Sequence, residues 1–356
     1  MTPSRTCSVC NKGFEPRFRF QAQADEAGGV RYFCTQACVH SSVTSSDAGV
    51  ACSVCDRRFK PEFAFQIVAG ETGDVFFCTE GCRNRAAHAR EERRGPMRLA
   101  VFNHKGGTGK TTTSVNLAAG LAEAGKRVLL VDVDAQGNVG ASLGIRGNRT
   151  MYHVLVLGQD PREAAIPVRA NLEVITSNET LAAAELYLAG RPNRDRILRE
   201  RMLPADDYDV VVLDCSPSLS LLNQNALVFA DHVVIPVSCD YLSLVGVKQV
   251  IKTLSNVHEH LKHPVRILGV IPTFYDSRHK IGREVVDTLK TKFGDLCFPC
   301  VRANTKLREA PAAKQSIFEY APDSPGADDY RAIVDKVLAA TMGEVKTATM
   351  SQMEVA

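Results

Sequence analysis

A glycine-rich loop between a buried strand and a helix constrains this chain more than any other feature of its sequence. The apolar run at residues 99–102 predicts a strand, and apolar residues at helical spacing over residues 114–125 predict a helix. Residues 104–112 between them read His-Lys-Gly-Gly-Thr-Gly-Lys-Thr-Thr. Such a turn places backbone N–H groups and the positive end of a helix around a phosphate chain, and Lys110 would neutralise the outer phosphates. The sequence therefore predicts a phosphate loop for a nucleotide.

The loop departs from the common motif at two positions. His104 stands where the first glycine is usual, and an extra lysine, Lys105, precedes the two glycines. This form resembles the deviant Walker A loop of the ParA/MinD family of dimerising ATPases, and most of all that of the ParA/Soj-type partition ATPases. The resemblance implies that Lys105 reaches across a dimer to the nucleotide of the other subunit. A solvated loop lysine is the alternative interpretation.

Two further apolar segments predict strands that each end in a carboxylate, at residues 126–132 and 208–214. A carboxylate at a strand end beside a phosphate loop can hold magnesium through water or place the attacking water. Residues 132–138 resemble the family's Asp-x-Asp-Pro-Gln-Gly-Asn segment, with alanine in place of the proline. The resemblance implies that Asp134 positions the attacking water and that Asp132 supports the metal site. An aspartate that only caps a turn is the alternative.

Asp214 ends the second of these strands and fits the Walker B role of holding a water of the magnesium shell. Cys215 and Cys239 raise an iron–sulfur cluster as an alternative, because related nitrogenase iron proteins bridge a dimer with one. Those relatives place their cysteines in other segments, which disfavours a cluster here. The predicted catalytic residues are Lys105, Lys110 and Asp134, and the predicted nucleotide ligands are Gly106, Gly107, Thr108, Gly109, Lys110, Thr111, Thr112, Asp132 and Asp214, with Thr111 also binding magnesium.

Basic residues follow the last strands of the predicted sheet. Residues 266–273 predict another core strand, and the segments that follow it resemble those of chromosome-partition ATPases. The resemblance implies that Arg278 and Lys306 belong to a patch that grips DNA without sequence preference, a contact with phosphates that weakens with salt. The family's Pro-Arg-Asn reads Arg-Ala-Asn at residues 302–304, and lysine replaces arginine at position 306. Scattered surface bases are the alternative.

Residues 1–94 contain an internal repeat of cysteine pairs. Each copy has a Cys-Ser-Val-Cys knuckle and, after a predicted hairpin, a second pair of cysteines at the start of a short helix. The segments at residues 18–21 and 63–66 alternate in polarity and predict strands of these hairpins. Four thiolates brought together in this way suit a closed, structural zinc site. The predicted zinc ligands are Cys7, Cys10, Cys34 and Cys38 in the first copy, and Cys52, Cys55, Cys78 and Cys82 in the second.

The two copies resemble treble-clef zinc fingers, and we expect the metal to supply much of their folding free energy because such short segments bury little apolar surface. Reduced cysteines in ordinary packing are the alternative. His40 and His88 could substitute as ligands, although a position on a helix surface suits them better. The mixed charge of this region favours protein partners over phosphate-dominated binding.

Composition sets limits on compartment and partners. The chain has 356 residues, a hydrophobic share of 45% and a net charge of +3, which is too mild to indicate a nucleic-acid protein without a local basic patch. Twelve cysteines with no signal peptide and no long apolar segment are typical of the reducing cytosol. Residues 343–356 lack the basic amphipathic helix that MinD-type relatives lay on the membrane, so we expect no membrane partner.

The sequence predicts an α/β fold with a doubly wound, mainly parallel sheet of P-loop NTPase type, preceded by two small zinc modules. The expected domains are residues 1–48 and 49–94 for the modules, 97–342 for the ATPase and 343–356 for a flexible tail. The expected cofactors are ATP, magnesium and two structural zinc ions.

The resemblance implies a cytoplasmic, nucleoid-associated ATPase that dimerises with ATP, binds non-specific DNA and positions DNA or another cargo. Slow hydrolysis, stimulated by a ParB-like partner or cargo adaptor, would release it. Two alternatives are a scaffold with vestigial hydrolysis whose zinc modules recruit a protein, and a regulator whose fingers read DNA sequence.

Overall fold

The fold is described from a computed structural model of the chain. The chain divides into two compact units, Met1–Arg94 and Gly95–Ala356. The predicted tail at residues 343–356 and the candidate ligands His40 and His88 lie outside the described residues. Those residues are 4–16, 18–24, 30–36, 38–39, 42, 49–55, 57–69, 74–83, 95–218 and 220–341.

The first unit repeats one small pattern of two antiparallel strand pairs. In each copy the first cysteine of the knuckle donates its N–H across a tight turn, from Cys7 to Lys12 O and from Cys52 to Arg57 O, at 2.9 Å in both. The strands are β1 Arg5–Thr6, β2 Gly13–Phe14, β3 Ala22–Ala24 and β4 Val30–Tyr32 in the first copy, and β5 Val50–Ala51, β6 Arg58–Phe59, β7 Ile67–Ala69 and β8 Asp74–Phe76 in the second.

The strands predicted at residues 18–21 and 63–66 are wrong. Both segments contain a 3-10 turn, Arg19–Gln21 and Ala64–Gln66, and the strand begins only after it. The side chain of Gln66 explains the turn, because its Oε1 accepts the Phe63 N–H at 2.9 Å while its Nε2 donates to Cys78 O at 3.1 Å. A local side-chain bond of this kind competes with strand pairing.

The described part of the second unit has a seven-stranded sheet. Its strands are β9 Met97–Val101, β10 Val128–Asp132, β11 Ile166–Arg169, β12 Leu172–Ile175, β13 Val210–Asp214, β14 His232–Ser238 and β15 Arg266–Thr273. They lie in the order β11-β12-β10-β13-β9-β14-β15. All neighbours are parallel except the edge strand β11, which pairs antiparallel with β12. The predicted α/β class with a mainly parallel sheet is confirmed.

Helices cover both faces of the sheet. Along β13, Val210 and Val212 pack into one hydrophobic core and Val211 and Leu213 into the other, so the strand is apolar throughout. The helices are α1 Lys110–Glu123, α2 Asn138–Leu143, α3 Met151–Leu155, α4 Pro161–Ala164, α5 Ala182–Ala189, α6 Ile197–Met202, α7 Leu221–Phe229, α8 Tyr241–Leu261, α9 Lys280–Phe293, α10 Thr305–Glu309, α11 Ile317–Tyr320 and α12 Pro325–Thr341. Of these, α1, α2 and α10–α12 contribute to the first core and α3–α9 to the second.

The register of the central strands places the site. Asp132 pairs with Asp214, and Asp214 pairs with Val101, at the carboxyl ends of β10, β13 and β9. The loops that follow these three strands therefore leave the sheet side by side. A crevice outside the carboxyl ends is where open α/β sheets bind ligands. No helix in the described part of the chain has both the length and the apolarity to cross a membrane.

Candidate nucleotide site and cysteine clusters

The phosphate loop runs from β9 into α1 through two left-handed glycines. Gly107 has φ 72° and Gly109, the N-cap of α1, has φ 86°, a region that residues with a Cβ rarely adopt. The side chain of Asn103 fixes the entry to the loop, because its Oδ1 accepts the Lys105 N–H at 3.0 Å and its Nδ2 donates to Pro236 O at 2.7 Å. The loop thus presents the free N–H groups of a helix N-terminus to the crevice.

Lys110 is held inside this loop. Its Nζ donates to Lys105 O at 2.9 Å, and the residue is 7% exposed. Burial lowers the pKa of Lys110, while the nearby carboxylate of Asp214 opposes that shift. The hydrogen bond of Lys110 is to a neutral carbonyl, so a phosphate at the loop would give this buried ammonium a charged hydrogen-bond partner.

Asp214 joins β13 to the first turn of α1. Its two oxygens accept hydrogen bonds from Thr111 Oγ1 and Ser114 Oγ, each at 2.8 Å, and the residue is fully buried. Burial raises the pKa of Asp214 to about 6, although both hydroxyls lower it. Sequence reasoning missed Ser114. Its spacing on α1, one turn after Lys110, is the signal that could have placed it beside the strand end.

Asp132 and Asp134 have different surroundings. Both oxygens of Asp132 are taken by backbone N–H groups, of Asp134 at 3.0 Å and of Val139 at 3.2 Å, so this carboxyl holds the shape of its own loop. Burial and then the charge of Asp214 raise the pKa of Asp132 well above its usual range. Asp134 has one oxygen that accepts the Gln136 N–H at 3.0 Å, and it lines the crevice.

The crevice has a volume of about 720 Å³, within the usual range of ligand pockets. Of the predicted ligands, Thr108 is buried beneath it, where its carbonyl accepts a hydrogen bond from Thr273 Oγ1 at 2.9 Å. Residues 216–218, after β13, form the opposite wall, which sequence reasoning did not assign. The predicted residues that line the crevice are Gly106, Gly107, Gly109, Lys110, Thr111, Thr112 and Asp134.

Lys105 lines a second depression beside this crevice, of about 440 Å³. Its Nζ donates to both oxygens of Asp240, at 2.7 and 2.8 Å, and to Ser243 Oγ at 2.9 Å, so it is not simply a solvated lysine. Although partial burial raises it, hydrogen bonds from Lys105, Ser238 and Ser243 lower the pKa of Asp240 to about 2. Sequence reasoning missed Asp240. Its position after β14, at the same edge of the sheet, is the available signal.

The two predicted DNA contacts lie on the surface, and each is paired with an acid of its own segment. Arg278 has a side chain that is 84% exposed and pairs with Asp276 at 2.7 Å. Lys306 pairs with Glu309 at 2.8 Å. By contrast, Arg302 packs against Asp329, which ties it to α12. Arg278 and Lys306 thus remain available to an external phosphate, at the cost of a local ion pair.

The predicted cysteines gather into two groups of four, whose sulfurs lie within 4.8 Å of one another in each group. The adjacent Sγ atoms of Cys10 and Cys34 are 3.4 Å apart, and those of Cys34 and Cys38 are 3.6 Å apart. A tetrahedral zinc with Zn–S bonds of about 2.3 Å requires S···S distances of roughly 3.8 Å. In the second group the distances are 3.5, 3.6 and 3.8 Å, so both groups have the donor set and nearly the spacing of a zinc site made of four cysteines.

The protonation of the clusters also suits a cation. Although burial raises it, backbone hydrogen bonds lower the pKa of Cys7 to about 6, which favours the thiolate. The hydrogen bond with Cys10, followed by burial, raises the pKa of Cys34 to about 12. Neighbouring sulfurs that share so small a space cannot all ionise without a cation to neutralise them.

We expect the affinity for Mg·ATP to fall as the pH drops through 6. If the Asp214 carboxylate holds the magnesium shell, as predicted, protons compete with the metal below its pKa of about 6. The loss should approach about tenfold per pH unit for one proton. The stability of the nucleotide-free fold should change in the opposite direction. Because the pKa of Asp214 is raised in the folded chain, its contribution to the free energy of unfolding is lost as the pH rises through 6. Bound magnesium would offset this loss.

The measurement is a titration with a fluorescent ATP analogue and magnesium between pH 5 and 8. Asp214→Asn should bind more weakly and with little dependence on pH. A native affinity that stays constant over this range would contradict the proposed competition.

Two family models match the second unit. The AAA domain model matches residues 97–267, and the model of 4Fe-4S iron sulfur cluster binding proteins of the NifH/frxC family matches residues 205–355. Among the residues that the structure describes, the cysteine groups compact enough to share a metal ion are the two before residue 95, and neither Cys215 nor Cys239 belongs to one.

Comparison with known proteins identifies the family. The chain is 42% identical over 243 residues to the chromosome-partitioning ATPase Soj of Thermus thermophilus, covering 68% of this chain and 95% of that protein. It is 41% identical over 250 residues to the sporulation initiation inhibitor protein Soj of Bacillus subtilis, covering 68% and 98%. Among solved structures, the cobyrinic acid a,c-diamide synthase of Mycobacterium smegmatis with a bound ATP analogue and magnesium aligns with a TM-score of 0.60 and 32% identity, covering 70% and 98%. With a phosphate loop, strand-end carboxylates and relatives of this similarity, the chain belongs to the ParA/Soj-type family of partition ATPases.

Proposed function

We propose that this protein is an ATP-dependent switch that dimerises with ATP and magnesium, grips DNA without sequence preference and releases it after hydrolysis. A ParB-like protein or cargo adaptor would stimulate that hydrolysis, and the cycle would position DNA or another cargo on the nucleoid. One observation carries the dimer: Lys105 is absent from the lining of its own nucleotide crevice and lines the depression beside it. A second subunit could reach that depression.

Different residues of the crevice would have different roles in hydrolysis. The loop N–H groups and Lys110 would hold the outer phosphates, and Thr111 and Asp214 would hold magnesium, which neutralises charge on the phosphate oxygens. Asp134 would place the attacking water, since it lines the crevice while Asp132 supports its loop. This division rests on the burial and hydrogen bonds of the three carboxylates.

Lys105→Ala should abolish the ATP-dependent dimer, because the nucleotide of the other subunit would lose its second lysine. Asp240→Asn should favour the dimer by up to about fivefold for each of the two exchanged lysines, because the partly exposed ion pair that holds Lys105 is worth roughly 0.2–1 kcal/mol. Asparagine can still cap α8, where Asp240 accepts the Ser243 N–H.

Sedimentation of each variant with ADP, ATP or a non-hydrolysable analogue would measure this. Lys126→Ala, just before β10 at the amino edge of the sheet, is the matched lysine control and should dimerise like the native chain. A Lys105→Ala protein that dimerises normally would exclude the proposed exchange between subunits.

We further propose that Arg278 and Lys306 contact DNA phosphates in the ATP dimer. Arg278→Ala should weaken binding to random-sequence duplex by about three- to tenfold and lower the slope of log affinity against log salt by about one. Lys306→Ala should act in the same direction. The native protein should bind with ATP and not with ADP.

Arg162→Ala is the matched control for this experiment. Arg162 pairs with Asp160 two residues earlier, as Arg278 does with Asp276, but it precedes β11 at the opposite edge of the sheet. Equal losses in both variants would point to general electrostatics and not to a patch. Binding that is indifferent to nucleotide would favour the scaffold alternative, and binding that requires residues 1–94 would favour a finger-based regulator.

For the N-terminal repeat we propose two structural zinc ions, each held by four thiolates. The purified chain should contain about two zinc ions by elemental analysis, and Cys10→Ser should reduce this to about one because a four-thiolate site loses a ligand. Cys297→Ser, outside both clusters, should retain two. A zinc content that Cys10→Ser leaves unchanged, or cysteines that react freely in the native chain, would contradict the proposal.

A further inference from the structure

A second cation shares the depression that Lys105 lines. Arg308 is also among the lining residues of this depression, whose volume is about 440 Å³. The loop glycines Gly106 and Gly107 border both the depression and the neighbouring nucleotide crevice. Like Lys105, Arg308 is absent from the lining of the crevice itself. Two positive side chains therefore meet beside the chain's own nucleotide site and outside it.

The short helix α10 directs Arg308 toward the depression. Asn304 caps this helix by accepting the Lys306 N–H at 2.8 Å, and Leu307 anchors it in the first core. Lys306 pairs with Glu309 on one side of the helix. Because successive residues of an α-helix are about 100° apart, Arg308 projects about 200° around the helix from Lys306. Arg308 therefore lines the depression, whereas Lys306 does not.

Arg308 is exposed and lacks an acidic partner. The basic residues near it in the chain have one, since Lys306 pairs with Glu309 at 2.8 Å and Arg302 pairs with Asp329 at 2.7 Å. Among the residues that the structure describes, none forms an ion pair or a hydrogen bond with the guanidinium of Arg308. Such a guanidinium binds an external anion without first losing an ion pair. Arg308 is thus freer to bind a phosphate than the paired bases around it.

The depression suits a phosphate group in its charge and in its donors. Its charged lining residues in the described part of the chain are Lys105, Arg308 and Asp240, which leaves one positive charge in excess. Asp240 is already held by Lys105, whose Nζ lies 2.7 and 2.8 Å from its two oxygens. Burial raises the pKa of Cys239 to about 12, so this lining thiol adds no negative charge. The planar guanidinium presents paired N–H donors that match phosphate oxygens.

Exposed apolar side chains follow directly after Asp240 in the first turns of α8. Tyr241 and Leu242 are each 68% exposed, and Val245 is 51% exposed. A free anion in the depression would leave these side chains in water, whereas a second protein surface would cover them. The expected occupant is therefore a protein that carries a phosphate group.

A second copy of this chain meets that description. A two-fold pair of subunits places the same surface patch on both sides of the interface. Here the patch contains a crevice for nucleotide and, next to it, the depression. A two-fold axis between the two sets the depression of each subunit opposite the crevice of the other.

We infer that Arg308 binds the outer phosphate of the nucleotide held by the second subunit, as a further cation beside Lys105. The inference rests on the proposed ATP-dependent dimer and adds a residue to it. The guanidinium donates hydrogen bonds to phosphate oxygens, and each dimer contains this contact twice. It also stabilises the charge that these oxygens carry while the phosphoryl group is transferred to water.

Sedimentation with a non-hydrolysable ATP analogue and magnesium tests the contact. Arg308→Ala should weaken dimerisation by at least about tenfold, because a hydrogen bond between charged groups is lost at both sites, and Arg308→Lys should recover part of the loss. Arg266→Ala is the matched control and should dimerise like the native chain. Arg266 is exposed and has no ion pair in the described part of the chain, but it begins β15 at the opposite edge of the sheet.

Dimerisation of Arg308→Ala with native affinity would overturn the inference and leave the proposed dimer intact. A native chain that stays monomeric with the analogue would refute the dimer itself, and the inference with it. The two failures are therefore distinguishable in the same experiment.

Contact with the nucleotide of its own subunit is the competing arrangement. Arg308 also borders a narrow cavity of about 40 Å³, together with Gly109 and Thr112 of the phosphate loop and α1. The two arrangements differ in a Lys105→Ala background, which is expected to stay monomeric. Adding Arg308→Ala there should leave the affinity for the analogue unchanged within about twofold. A loss of about tenfold would place the contact within one subunit and overturn the inference.

ATP turnover separates a phosphate contact from a contact with an acidic side chain of the second subunit. The Arg308→Ala protein is assayed at concentrations high enough to restore its dimer by mass action. Its turnover per dimer should stay at least about tenfold below that of the native dimer, because an arginine on the transferred phosphoryl group is missing. Full turnover once the dimer has formed would place Arg308 away from the phosphate and refute the assignment.

Discussion

The phosphate loop is held in place by hydrogen bonds between a buried carboxylate at the end of a strand and the first turn of a helix. Asp214 has no exposed surface, and its oxygens are held by hydroxyls from the first turn of α1, Thr111 and Ser114. Since β13 pairs with β9 and β10, this contact fixes the phosphate loop against the centre of the sheet. Burial raises the free energy of the charged carboxyl, and a cation at the same position would lower it.

The two lysines of the phosphate loop are also charged groups that a bound ion of opposite charge would stabilise. The ammonium of Lys110 rests on the carbonyl of Lys105, and the ammonium of Lys105 rests on Asp240. A phosphate would satisfy the charge of Lys110 better than its present partner does, because charge-assisted bonds to phosphate oxygens are stronger than a bond to a neutral carbonyl. The pair with Asp240 differs in that it is already ionic and partly exposed. Under the proposed function, nucleotide therefore draws Lys110 readily, whereas Lys105 leaves Asp240 only when the nucleotide of a second subunit competes for it.

The strands of the second unit can be predicted from the sequence because each central strand is encoded by its own short segment. Fully buried parallel strands read as unbroken apolar runs, and the strand predicted at Arg266–Thr273 has those bounds in the structure. The edge strand Ile166–Arg169 was not predicted, since it is short, half exposed and contains a proline. Asp240 and Ser114 were missed for another reason: their roles arise from contacts between segments far apart in the chain. The hairpin strands predicted at residues 18–21 and 63–66 failed because a glutamine side chain folds each segment into a turn.

In the N-terminal repeat, a glutamine side chain stabilises the turn that replaces each predicted strand. Gln21 and Gln66 occupy equivalent places, and each donates its amide to the carbonyl of the third cysteine of its cluster, Cys34 or Cys78. The glutamine thus fixes the backbone that presents a proposed zinc ligand, as the outer partners of ligands do in metal sites generally. The exposed rings of Phe18 and Phe63 stack on the second phenylalanine of their own segments as a consequence of the same turn. One polar side chain thus fixes both the backbone of the third cysteine and the stacked aromatic pair of each module.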